Sequence, residues 1–273
     1  FRDCTVVCST NAYRDVVDAA FRKCGIPYFF SARDSLLTAE PVKLILAALS
    51  IVSGGWRRED VISYLKCPMT GISPEDTDAL ALYAQTWDLD GAELRALSDW
   101  EMSPDGYGTP HTKERADYNR QLLVRINQTR RQYLPPLLAL SSALTDERGT
   151  PGRIRAITEF LLTLRLPESL DKRAEDERRA GRTAAAEDTE RIWDVICDAF
   201  DTLTTLAGDT EMNLAEFIEL LKLLFRAVTL GQIPASTDEV TIADPATVRS
   251  GSVRHVYLLG AIEGVLPKNV SEG

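Results

Sequence analysis

Basic charge is what this sequence lacks most. It sets 31 lysines and arginines against 41 aspartates and glutamates, for a net charge of −10 at pH 7. That balance argues against a freestanding, non-specific nucleic-acid binder, which needs a basic face, but not against a subunit whose DNA contacts are local or shared. Histidine is scarcer still: His111 and His255 are the only two, and neither lies in a metal-ligand or triad pattern. The five cysteines, Cys4, Cys8, Cys24, Cys67 and Cys197, include no C-x-x-C pair, so neither a zinc site nor a disulfide framework has support, and a reducing cytoplasm is the expected setting. No apolar run is long enough to span a bilayer. No G-x-x-x-x-G-K-[ST] loop, H-E-x-x-H or G-x-S-x-G occurs, so a self-sufficient active site is not expected. The chain opens on Phe1 without a basic-then-apolar leader, and both ends read as cut from a longer polypeptide.

What is present is a soluble, globular composition, 44% hydrophobic and 26% charged. "DCTVVCST" reads as a buried strand, with Cys4 and Cys8 as reduced thiols on one face. "NAYRDVVDAAFRKCG" has helical spacing, with Asn11 as N-cap and Gly25 as the stop. "IPYFFSA" is a second strand. From Glu40-Pro41 to about Leu230 nearly everything has helical period. Gly54-Gly55 ends one helix, Pro68 stops another, and Ser73 with Pro74 opens a third. After the Gly/Pro-rich "WEMSPDGYGTP" a long helix starts near Thr112, with Tyr118, Leu122, Ile126 and Tyr133 on one face. "ESLDKRAEDERRAGRTAAAEDTE" is a solvated helix or loop, or else an arm that docks nucleic acid. Two apolar stripes follow: Ile192, Ile196, Ala199, Leu203 and Leu206, then Leu214, Phe217, Leu221, Leu224 and Val228, the second opened by an Asn213–Glu216 capping box.

The chain ends on a strand at Glu239 to Ala243 and on "VRHVYLLGAIEGVLP", whose continuous apolar run predicts a strand buried on both faces. A strand so placed needs neighbours, and "CTVVC" at the other end of the sequence is expected among them. The fold expected is α/β and mostly helical: residues 1–45 begin a parallel-sheet domain, residues 46–230 form a helical insertion, and residues 231–273 return to the sheet.

Residues "TVVCSTNAYRDVVDAAFRKCGIPYFFSARDSLLTAEPVKLILAALSIV" resemble the opening of the second RecA-like domain (2A, of P-loop NTPase type) in UvrD/Rep-type superfamily 1 helicases, where a T-N-A turn and an "IPY" strand lead into the inserted helical subdomain 2B. "VYLLGAIEGVLP" is similar to their G-x-x-E-G-x-x-P return. "WRREDVISYLKCPMTGISPEDTDALALYAQTWDLDGAEL" and the return segment resemble the B subunit of AddAB/RexAB-type ATP-dependent helicase–nucleases. Two departures stand out. Cys8 and Ser9 replace a Tyr-Arg pair, removing a charged fork for triphosphate. "ATVRSGSVRHV" replaces a His…Lys-Gly-Leu-Glu stretch.

The resemblance implies the middle of an inactivated helicase subunit in DNA double-strand-break repair and recombination. It would work with an AddA/RexA-type partner on single- and double-stranded DNA ends. ATP, Mg2+ and an iron–sulfur cluster would lie in the larger complex, with no cofactor and no membrane contact in this region. Thr10 and Asn11 are read either as capping residues or as phosphate contacts at a strand-to-helix turn. Arg249 and Arg254, flanking the last strand, are read as solvated or DNA-facing. Glu263, Gly264 and Pro267 shape the motif turn. The second half of an active UvrD-like helicase and a helical protein-interaction module are the alternatives.

Overall fold

Four short apolar segments drawn from the two ends of the sequence pair as one parallel sheet in a computed structural model, which describes residues 1–30, 34–108, 112–180, 183–208, 210–230, 238–245, 253–263 and 265–266. The strands are β1 (Cys4–Cys8), β2 (Tyr28–Phe30), β3 (Val240–Ala243) and β4 (His255–Leu259), in the order β2-β3-β1-β4. β1 is central: Val6 pairs with Ile242 on one side and with Tyr257 on the other. Helix α1 (Asn11–Cys24) lays Tyr13, Val17 and Phe21 over the face formed by Val6, Cys8, Val240 and Ile242. Gly25, at φ 64, closes α1, its amide bonding back to Arg22 O while Ile26 N reaches Phe21 O.

The sheet corrects two expectations. α1 begins at Asn11, so Thr10, with extended backbone, is the N-cap in place of Asn11. And β4 is not buried on both faces. Among the described residues it is an edge strand with one neighbour, and Val256, Tyr257 and Leu258 are about half exposed. Hydrophobicity alone does not distinguish an apolar edge from an apolar centre.

The chain divides into two compact units, Phe1–Asp34 with Thr229–Gly273, and Ser35–Val228. The second is helical: α2 (Glu40–Ser53), α3 (Arg58–Leu65), α4 (Pro74–Thr86), α5 (Ala92–Arg95), α6 (Lys113–Asp146), α7 (Thr150–Thr163), α8 (Leu166–Arg179), α9 (Thr183–Ala207) and α10 (Leu214–Ala227). α2 is apolar around most of its circumference and buries Val42, Leu44, Ile45, Ala48, Leu49 and Ile51 almost completely, which places it at the centre of this unit. Of the charged stretch, residues 168–179 lie in α8 and residues 183–190 in α9, and the two helices pack together with Leu166, Leu170, Ala174 and Ala186 buried. Within the apolar stripes Ile196, Ala199, Leu203, Phe217 and Leu221 are buried, but Leu206 is 78% exposed, and Tyr118 on α6 is half exposed. Phe200 and Phe225, outside the stripes, meet at 6.1 Å between ring centres.

Candidate nucleic-acid interface

In open parallel sheets ligands gather beyond the carboxyl ends of the strands, where helix N-termini also point. Here that edge is built from the ends of β1 and β4. Cys8 ends β1, Ser9 and Thr10 turn the chain, and α1 begins at once. The Ser9 amide donates to Leu259 O at 3.2 Å, carrying the ladder one residue past the strands. Thr10 is exposed, its hydroxyl accepts no capping bond, and no acid lies in the first turn of α1. The first turn of α1 therefore supplies no carboxylate of its own to the positive end of this helix dipole.

Gly260 fixes how close the two segments come. Its φ is +77, and a Cβ there would stand 2.0 Å from Ser9 Oγ and 2.5 Å from Tyr13 Cε2. Ser9 Oγ is buried without a hydrogen-bond partner among the described residues. Beyond Gly260 the chain makes a tight turn, with Ile262 N donating to Gly260 O at 2.8 Å and Val265 N to Ile262 O at 2.9 Å, and Glu263 stands exposed on it.

Thr10, the backbone of Asn11 and Glu263 thus share one edge of the sheet. Arg254 does not. Its amide donates to Asp3 O at 3.0 Å, before β1 and β4 begin, and its exposed guanidinium lies 3.7 Å from the Asp3 carboxylate. Five residues of strand separate that end from the Ser9–Gly260 end, about 16 Å at 3.3 Å per residue. Arg249, Gly264, Pro267 and the side chain of Asn11 lie outside the described residues.

Sequence reasoning missed Ser9 and Gly260 as contact partners. A glycine directly after an apolar strand was the available signal, but its opposite number is visible only once the register is known. The described side chains of this edge, Ser9, Thr10, Tyr13 and Glu263, include no cation to balance a nucleoside triphosphate. Among the described residues no group of three or more His, Cys, Asp or Glu is arranged to hold a metal ion, and no helix is long and apolar enough to cross a membrane.

No family model matches the chain. Curated relatives match it along its whole length. The ATP-dependent helicase/deoxyribonuclease B subunit of Acetivibrio thermocellus is 28% identical over 273 residues, all of this chain and 24% of that protein. The proteins of the same name from Clostridium botulinum and Clostridium acetobutylicum are 24% and 25% identical over the same 273 residues, again 24% of each. The chain therefore spans about a quarter of the length of the relatives it matches, and their name is the B-type likeness read from the motifs.

Proposed function

We propose that this chain is a catalytically silent part of a B-type polypeptide of a helicase/deoxyribonuclease, serving as a DNA-handling and subunit-contact scaffold for an A-type subunit during the processing of double-strand breaks. The observation that carries the reading is the register of β1 against β4. Segments from opposite ends of the sequence lie side by side, Val6 on Tyr257 and Val7 on Leu258, as a RecA-like 2A domain interrupted by a 2B-like insertion requires. The helical unit supports it independently, because its first and last residues meet: Leu36 N donates to Val228 O at 2.9 Å, and Ser35 Oγ donates to Phe225 O at 2.8 Å. A segment whose ends close on themselves can be accommodated within a host domain without displacing its strands.

Ser9 supports the silent part of the reading. In the helicases that the motifs resemble, this position carries an arginine. Here a neutral hydroxyl is packed against Gly260 and cannot stabilise charge developing on a phosphate. As the family resemblance implies, ATP, Mg2+ and an iron–sulfur cluster would be held elsewhere in the larger complex. The open N-terminus of α1, with the Thr10 hydroxyl, would meet the phosphate backbone of a single strand.

Two measurements test this. ATP hydrolysis by the chain is expected at background, and robust turnover would reject the scaffold reading in favour of an active helicase. Binding of a labelled single-stranded oligonucleotide is expected to be weak, to fall with salt, and to drop further in Thr10→Ala. Because Thr10 makes no capping bond, that substitution should leave stability nearly unchanged. Equal binding by wild type and Thr10→Ala would remove the DNA contact from this edge.

A further inference from the structure

The loop 101–108 of the helical unit is held by many bonds, and what it holds out is an aromatic ring. Tyr83 Oη donates to Met102 O at 3.1 Å, Trp87 Nε1 to Ser103 O at 2.9 Å, and Gly106 N to Ser103 O at 3.0 Å. The Asp105 carboxylate accepts from Asn119 Nδ2 at 2.6 Å, from Arg115 Nε at 2.9 Å, and from Arg115 Nη2. Those donors, Arg115 first, hold its carboxyl down to about 2. Gly106, at φ +82, reverses the chain against Thr86. Pinned in this way, the loop leaves Tyr107 97% exposed, edge-on to Trp87 with ring centres 4.7 Å apart.

Two further exposed apolar side chains lie one helical turn from residues that hold this loop, Thr86 and Arg115. Leu82, one turn before Thr86 on α4, is 63% exposed, and Tyr118, with the Arg115 guanidinium 5.1 Å above its ring, is 52% exposed. The polar Nε1 of Trp87 is already satisfied by Ser103, so the outward part of its ring is apolar. Isolated exposed apolar side chains are ordinary, but contiguous ones mark contact sites. Tyrosine and tryptophan are the residues that most often anchor protein interfaces, and a pre-ordered loop lowers the entropy lost on binding.

Charge decides the kind of partner. Asp78, one turn before Leu82, and Glu101, at the start of the loop, are exposed and take part in no ion pair among the described residues. Arg115, the cation beside the rings, is committed to Asp105. A nucleic-acid strand stacked here would bring phosphates up to carboxylates, against the basic groove such binding uses. A second copy of the chain would present the same acidic rim to itself.

We propose that Leu82, Trp87, Tyr107 and Tyr118 form a docking surface for a partner protein that offers an apolar socket with a basic rim. The inference rests on the function proposed above, and the occupant it commits to is the A-type subunit. The test uses the full B-type polypeptide and the A-type subunit of the same organism. In Tyr107→Ala and Leu82→Ser the dissociation constant is expected to rise at least ~30-fold, with Asp78→Lys weakening binding as well and the melting temperature of Tyr107→Ala unchanged. Wild-type affinity in Tyr107→Ala would overturn the docking surface while leaving the proposed function standing. Absence of A-type binding by the wild-type protein would overturn both. Loss of thymidine-oligonucleotide binding in Tyr107→Ala, with A-type binding unchanged, would assign the rings to nucleic acid and overturn the inference.

Discussion

Gly260 is constrained twice, by a backbone angle that L side chains rarely adopt and by a neighbour standing where a Cβ would go. Either alone costs on the order of 1–3 kcal/mol. Gly260→Ala should therefore destabilise the sheet unit by about 2–5 kcal/mol, measured as a lowered urea midpoint. A midpoint within error of wild type would mean that β1 and β4 separate more easily than their register suggests. Arg130 shows a different residue-scale solution. The residue is 2% exposed, and its guanidinium lies 3.9 Å from the Trp100 ring centre, donating to Ser98 O at 2.8 Å, to Asn127 Oδ1 at 3.3 Å and to Ala96 O. Backbone carbonyls and a π-face replace a carboxylate partner, and burial lowers the guanidinium below its ordinary pKa. Nothing in the sequence around Arg130 distinguishes it from the exposed arginines nearby.

At the scale of elements, helix ends are treated unequally. α10 has a complete capping box: Asn213 Oδ1 accepts from Glu216 N at 2.9 Å, and Glu216 Oε2 accepts from Asn213 N at 3.0 Å. Asn213→Ala should lower stability by about 1 kcal/mol in denaturant unfolding, several times the loss from Thr10→Ala at the open end of α1. Equal losses at the two positions would contradict the capping geometry. α6 shows tertiary packing prevailing over propensity. Pro135 and Pro136 remove two backbone donors and would ordinarily end a helix, yet α6 runs through them. Tyr133, Leu134, Leu137 and Leu140 are buried on either side, and breaking the helix there would expose them.

At the scale of the whole molecule, the helical unit is continuous in sequence while the sheet unit is not. Residues 35–228 expressed alone should fold, giving a helical circular-dichroism spectrum and one cooperative melt. Residues 1–34 alone should not fold, because β1 would lose both of its neighbours, β3 and β4. A molten or unfolded 35–228 protein would show that the helical unit depends on the sheet for its stability.

The sequence determined the local features of this protein. The αL glycine after α1, the Ser73 and Asn213 caps, the strands at the two ends and the helical period between them follow from local chemistry that each residue carries with it. The motif order determined the B-type likeness as well. Tertiary structure alone decided what depends on neighbours. It made the apolar β4 an edge strand, set Gly260 against Ser9, put Arg254 at the far end of the sheet from Thr10, and left Tyr107 outside while Arg130 was buried. Period and propensity report which face of an element is apolar, but which elements cover that face is settled only when segments from distant parts of the chain meet.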